Sequence, residues 1–329
     1  METVVVTGVA GFIGSNLLSE LLSRDYKVIG IDNLSQGFMR NIEDHLNKPN
    51  FQFVENDVRN FEIINKITKN AFCIVHLAAF KIPRYGNALD TLLINTKGTE
   101  NILEAARNNG CKVVIASTSD VYGKNPNIPF KEDSDLHIGN PMIKRWSYAV
   151  SKMFDEHLCF AYRERYHVPT VVIRYFGSYG PNQNLTWWGG PQSVFINAAL
   201  NDKPMEIHGD GLQSRSFTYI SDTINGTVRC IESEKAIGEV FNIGNNKEIT
   251  IIDLARLVWN LVCGQSEVKV NFVPYSNFGK YEDVRRRIPD ISKAKAFLQF
   301  EPKVDLEDGL IKTIEWQKMM MNNYNLQVA

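Results

Sequence analysis

The stretch Val4-Val5-Val6-Thr7-Gly8-Val9-Ala10-Gly11-Phe12-Ile13-Gly14 constrains the fold more than any other part of the chain. A β-branched run breaks into glycines, and an apolar helix follows at residues 15–23. A strand, a tight turn and a helix N-terminus in that order make a cradle for a pyrophosphate, because the turn brings backbone N–H groups to the helix end. Asp32 follows a second strand at 27–31, at about the interval from Gly14 expected of a carboxylate that binds a dinucleotide ribose. This combination predicts a dinucleotide-binding unit at the front of the chain.

Continuous apolar segments at 3–7, 27–31, 51–54, 72–76, 112–116 and 170–174 read as strands, with helices between them, notably at 91–109 and 146–166. Such alternation implies a parallel sheet covered on both faces. From Phe176 the pattern changes: Gly, Pro, Asn and Trp cluster over 177–191, and the elements become short. The strand-like Val240-Phe241-Asn242-Ile243 suggests that 216–245 returns to the main sheet. The fold class is therefore α/β, a doubly wound parallel sheet of Rossmann type (1–176) with a smaller C-terminal substrate-binding lobe (mainly 177–329). The polar tail 319–329 is expected to fray.

A net charge of −1 over 329 residues gives no electrostatic case for nucleic acid or an anionic membrane. No apolar run approaches the roughly 20 residues of a membrane helix. The first strand starts almost at once, so no signal peptide is expected. The five cysteines are far apart in apolar segments and read as small buried hydrophobes in a reducing compartment, which points to the cytoplasm. The histidine spacing suggests no metal site.

Tyr148 and Lys152 stand one helical turn apart on one face. An ammonium beside a phenol favours the phenolate, so the pair can remove a hydroxyl proton while hydride leaves the same carbon. Thr118, in Ser117-Thr118-Ser119-Asp120-Val121-Tyr122-Gly123, follows a buried strand, where open α/β sheets bind ligands, and can share a hydrogen bond with the same substrate hydroxyl.

With these motifs in hand, the chain resembles the extended short-chain dehydrogenases that modify nucleotide-linked sugars: epimerases, 4,6-dehydratases and uronic-acid decarboxylases. The similarity runs through the glycine loop (Gly8, Gly11, Phe12, Ile13, Gly14), Asp32-Asn33, Asp57-Val58, His76-Leu77-Ala78-Ala79, and Asn95-Thr96-Lys97-Gly98-Thr99. It continues through the Ser117–Gly123 segment, Tyr148/Lys152, Arg174-Tyr175-Phe176, Gly209–Arg215 and Pro289–Ala294. The resemblance implies that Asp32 holds the adenosine ribose, that Asp57-Val58 meets the adenine, and that Lys152 also holds the nicotinamide ribose. Asp32 would repel a 2′-phosphate, so the implied cofactor is NAD. It also implies a nucleoside-diphosphate sugar as substrate, with UDP, dTDP, GDP, ADP and CDP all open, oxidised at C4 and then epimerised, dehydrated or decarboxylated. Arg215 would grip the diphosphate, with Arg286 or Arg287 as a second contact or as part of a solvated basic run. Asn95 would contact substrate, and helices 91–109 and 146–166 would pair two copies into a homodimer.

Asp120 occupies a position where dehydratases and decarboxylases of this type carry Glu and simple 4-epimerases a neutral residue. It could act as a base at C5, with Ser119 beside it, or merely hydrogen-bond its own turn. On this ground a 4,6-dehydratase is the leading expectation, a 4-epimerase the alternative. Decarboxylases and uronate-acting relatives commonly place Arg after Tyr-Gly-Pro, where this chain has Asn182, so a uronic-acid decarboxylase ranks below both expectations, although Lys144 or Arg145 could substitute. A plain dehydrogenase that releases NADH is a further alternative. Gly177 stands where the family usually has Asn. Trp187 and Trp188 could stack on a base or sugar, or anchor the lobe. Lys81 could meet an acidic substrate group or face solvent.

Overall fold

The computed structural model describes residues 1–81 and 87–324. Six parallel pairings join β1 (Thr3–Thr7), β2 (Lys27–Asp32), β3 (Phe51–Glu55), β4 (Cys73–His76), β5 (Lys112–Thr118), β6 (Thr170–Tyr175) and, far along the chain, β11 (Val240–Ile243). The order across this seven-stranded sheet is β3-β2-β1-β4-β5-β6-β11. Strand order reverses between β1 and β4, which opens a crevice at their C-terminal ends. The inner strands β1, β4, β5 and β6 are almost wholly buried, as expected of a sheet with helices on both faces.

The helices α1 (Phe12–Ser23), α2 (Phe61–Ile67), α3 (Ala88–Asn109) and α4 (Trp146–Tyr166) connect the first six strands. The smaller region is built from β7 (Ser178–Tyr179), α5 (Pro191–Leu200), β8 (Met205–His208), β9 (Ser214–Ser216), β10 (Thr218–Tyr219) and α6 (Ile220–Glu232). After β11 come β12 (Glu248–Thr250), α7 (Ile251–Cys263), β13 (Val270–Val273), β14 (Arg286–Arg287), α8 (Ser292–Leu298) and α9 (Leu306–Tyr324). One apolar cluster runs without a break from Val4, Val6 and Leu17 under the sheet to Phe195, Ile207 and Trp259 in this region. Burial of that continuous surface ties the two parts together.

Element boundaries differ from the sequence reading in physically informative ways. Helix α1 begins at Phe12, directly after the Gly11 N-cap, so the glycine turn feeds straight into it. Helix α3 begins at Ala88 because the Asn87 side chain accepts the Leu89 N–H at 2.9 Å. Strand β5 extends to Thr118 because β6 pairs with it that far. Residues 319–324 do not fray: they continue α9, whose buried side includes Leu310, Ile314, Gln317 and Met320. Residues 325–329 lie outside the described residues.

Candidate active site

The glycine loop forms at the strand-order reversal. Gly8 has φ +70°, and a Cβ there would stand 2.9 Å from the Ala78 backbone nitrogen. At Gly14 a Cβ would come within 2.1 Å of the Gly8 carbonyl oxygen, so only glycine lets α1 approach the turn this closely. The Gly11 cap supplies no side chain, which leaves the leading N–H groups of α1 without a side-chain partner. Asp32 accepts the Ala10 N–H at 3.0 Å and the Leu34 N–H at 2.9 Å. Burial raises its carboxyl above the ordinary value, against the pull of those donors. A carboxylate has about four lone-pair positions, so Asp32 keeps capacity for two ribose hydroxyls. These features fit a dinucleotide with an unmodified adenosine ribose.

Neighbouring groups complete this arm. Asn33 donates to Asp57 at 2.8 Å, and Arg59 grips the same carboxylate through Nε and Nη2, both at 2.8 Å. The Arg59 hydrogen bond is the main reason that the Asp57 carboxyl is held down at about 2. Thr7 Oγ1 accepts the N–H groups of Leu77 and Ala78 at 3.2 and 3.1 Å, which shapes the 77–79 segment. Phe12, Ile13, Val58 and Ala79 line the same cavity.

The chemistry-bearing side chains come from β5 and α4. Arg174 on β6 and Glu156 on α4 form a buried two-pronged pair at 2.7 and 3.0 Å, and Ser117 donates to the same carboxylate. This knot ties α4 to the ends of β5 and β6, which brings Tyr148 and Lys152 to one cavity with Thr118. Thr118 Oγ1 accepts the Asp120 N–H at 3.2 Å and so holds the short turn Ser119–Tyr122. The Lys152 ammonium donates to Asp155 at 3.2 Å, and in the chain by itself burial and the carboxylates of Asp120 and Asp155 hold the Tyr148 phenol above its ordinary value.

A third wall carries charge. Arg287 pairs with Asp120 at 2.6 Å and donates to Ser119 at 3.4 Å. Arg145, the N-cap of α4, donates to Asp120 at 3.2 Å and to Asp283 at 3.1 Å. Arg215 donates to Asp283 at 3.0 Å. Strand β14 lies parallel to β9 with Arg287 opposite Arg215, which turns both guanidiniums toward the cavity. The arginine run therefore splits: Arg285 bonds Asp210 and Arg286 bonds Glu248 on the exposed surface, and Arg287 turns inward. Burial works to raise the Asp120 carboxyl, but Arg287, Arg145 and Arg215 prevail and hold it below its ordinary value.

Every residue expected to bind cofactor or substrate except Asn95, Lys144 and Arg286 lines one cavity of about 600 Å³. Asn95 is buried behind it: its amide accepts from Phe80 N at 2.7 Å and donates to Ser151 Oγ at 3.0 Å, so it braces the loop after β4 and is not placed for substrate contact. Gly177 lines the cavity because a Cβ would stand 2.8 Å from the Ser216 carbonyl oxygen. The two tryptophans divide their roles. Trp187 stacks on His208 with ring centres 4.1 Å apart and packs against the core, whereas Trp188 meets Phe80 edge-on at 5.9 Å. Lys81 is at the cavity wall and exposed. Sequence reasoning passed over Asp283 and Tyr281, and weighed Arg145 only as a substitute for a missing arginine; nothing local marks these residues.

Comparisons with known proteins agree with this geometry. The family model described as GDP-mannose 4,6 dehydratase matches residues 5–313. The UDP-N-acetyl-alpha-D-glucosaminuronate decarboxylase of Bacillus cytotoxicus is 35% identical over 97% of this chain and 98% of its own length. The UDP-glucuronic acid 4-epimerase of Bacillus cereus, solved with UDP-glucuronic acid and NAD, superposes with a TM-score of 0.87 at 33% identity, covering 97% of this chain and 99% of that one. A dTDP-glucose 4,6-dehydratase from Bacillus anthracis, solved with NAD, gives a TM-score of 0.87 at 27% identity, with 99% of each chain covered.

Proposed function

This chain belongs to the GDP-mannose 4,6 dehydratase family of NAD-dependent enzymes that epimerise, dehydrate or decarboxylate nucleotide sugars, and within it we propose a decarboxylase of a nucleoside-diphosphate uronic acid. The observation that carries this reading is the state of Asp120. Its carboxylate is ionised, held by Arg287 and Arg145, and adjoins Ser119 and Thr118 at the reacting end of the cavity. A base for elimination works best with a raised pKa, and the arginines on Oδ1 hold that of Asp120 down. Decarboxylation of a 4-keto uronate needs no such base, because the electrons of the breaking C5–carboxylate bond flow into the adjacent ketone. It needs cations to orient a second anion on the sugar. Arg287 and Arg145, which bond Asp120, carry the positive charge for it, and Arg215 remains for the diphosphate.

NAD, when bound, would supply a reversible hydride acceptor for C4. Gly8, Gly11 and Gly14 would hold its pyrophosphate against α1, Asp32 its adenosine ribose, and Asp57 with Val58 its adenine. Tyr148 accepts the C4 hydroxyl proton and gives it back, Thr118 orients that hydroxyl, and Lys152 holds the ammonium charge beside both. Trp188 and Phe80 shield the sugar from water.

A second reading is the 4,6-dehydratase expected from sequence, in which the Asp120 carboxylate would serve as the base at C5. The deciding experiment incubates the purified protein, without added cofactor, with UDP-glucuronate, UDP-N-acetylglucosaminuronate, and neutral UDP-, dTDP-, GDP-, ADP- and CDP-sugars in heavy water. Mass spectrometry and NMR read the products. Loss of carbon dioxide from a uronate without NADH accumulation supports the proposal. Loss of water from a neutral sugar replaces it with the dehydratase. A C4 isomer of unchanged mass makes the enzyme an epimerase, and NADH accumulating with added NAD makes it a plain dehydrogenase.

A further inference from the structure

The acid–base pair has a buried companion that the proposed chemistry leaves without a role. Asp155 lies on α4 three residues beyond Lys152, and its Oδ2 is 3.2 Å from the ammonium nitrogen. The two side chains are 1% and 2% exposed, so neither charge is screened by water. The Thr99 side chain on α3 also acts on this carboxylate and helps to hold it down.

Other titratable groups face this pair from each packed element. On α4 itself these are Tyr148, Glu156 and Cys159; from β4 comes His76 and from the turn after β5 Asp120. Glu156 is engaged by Arg174 and Ser117. His76 is driven neutral, to about 3, by burial and by Lys152. Burial pushes the Cys159 thiol up, out of the ionised range. Asp120 is bound to Arg287 and Arg145. Asp155 is the carboxylate that bonds the catalytic ammonium. Burial lifts its carboxyl and Lys152 pulls it back.

An ammonium by itself beside a buried phenol stabilises the phenolate, which takes a proton well and returns it poorly. A cycle that oxidises and then reduces the same carbon needs both directions. A carboxylate bonded to the ammonium reduces its field at the phenol from that of a charge to that of a dipole. We infer that Asp155 is a positioning residue for the acid–base pair: it holds the Lys152 ammonium in place and offsets its charge, so that Tyr148 can both accept and return the substrate proton. The inference rests on Tyr148 and Lys152 being that pair.

The test is Asp155→Asn in the protein as purified with its cofactor; the amide keeps the shape and an acceptor for Lys152 but loses the charge. Tyr148 is titrated by ultraviolet phenolate absorbance, as the difference between each protein and its Tyr148→Phe counterpart. We expect the phenolate midpoint of Asp155→Asn to fall by about one pH unit or more, a tenfold change in ionisation. The acid limb of kcat should move with it while KM stays near the wild-type value. A midpoint within about 0.2 units of wild type overturns the inference. Asp155→Ser, which also relieves crowding, replaces the asparagine variant if that one does not fold, and the same downward shift is required. Tyr148→Phe with full turnover of the active nucleotide sugar would refute the acid–base assignment itself. An inactive Tyr148→Phe with an unmoved midpoint would refute the role of Asp155 alone.

Discussion

The knot between Glu156 and Arg174 is where stability and site geometry meet, and Glu156→Gln tests it. Both side chains are 6% exposed, and the two guanidinium–carboxylate contacts are 2.7 and 3.0 Å, with Ser117 as a third donor to the carboxylate. Glutamine keeps the volume but removes the charge, so Arg174 is left buried without its counterion. Breaking one partner of a buried pair costs about 3–5 kcal/mol, mostly because the other charge remains desolvated. Arg174 also donates to Tyr122 Oη and to the Glu132 carbonyl, each at 3.0 Å, which places the expected cost toward the lower end. With an unfolding entropy of about 2.1 cal/mol/K per residue, a chain of this length loses roughly 4–7 °C in Tm for that range. Scanning calorimetry of wild type and variant at one concentration and one cofactor content measures it. The charge explanation requires a second result: Glu156→Leu combined with Arg174→Met should recover much of the loss, because no charge then remains buried. A Tm change below about 1 °C in Glu156→Gln, or a double variant less stable than the single, would refute the reasoning.

Arg287→Met should lower kcat/KM by about 10²-fold or more, since it removes the nearer of the two arginines on Asp120 at the reacting end, whereas Arg286→Met should stay within about twofold because its bond to Glu248 is on the surface; steady-state kinetics of the pair checks both. Asp57 has its carboxyl depressed from 3.8 to about 2, so its contribution to stability is complete above about pH 4 and is lost as pH falls toward 2. Asp57→Asn should therefore flatten the acid dependence of the urea midpoint over that window. Leu89, Leu93, Val150 and Phe154 lie 57%, 56%, 42% and 49% exposed on the packed helices α3 and α4, which suits the expected homodimer. Leu93→Asp with Phe154→Asp should then halve the mass seen by light scattering; a wild-type monomer would refute that assembly.

Local chemistry determined much of this protein from the sequence alone. A β-branched run ending in Gly8, Gly11 and Gly14 leaves a backbone few other folds can use, and the spacing of Tyr148 and Lys152 puts both on one helix face wherever that helix packs. The parallel sheet, the glycine turn and the meeting of Tyr148 with Lys152 at one cavity follow from such short-range constraints, and so does the return of Val240–Ile243 to the sheet, by its apolar run. Tertiary structure decided the rest, because charge and hydrogen-bond partners in this site come from distant parts of the chain. Arg287 reaches Asp120 across the chain while its neighbours Arg285 and Arg286 face solvent, a choice made by the pairing of β14 with β9. Asn95 has the composition of a substrate contact and is consumed by Phe80 and Ser151. Asp155 was visible as a letter three places from Lys152, but only burial turns that spacing into an unscreened ion pair. Sequence sets which groups can exist on each element; packing sets which of them lose water, and loss of water gives a charge its strength.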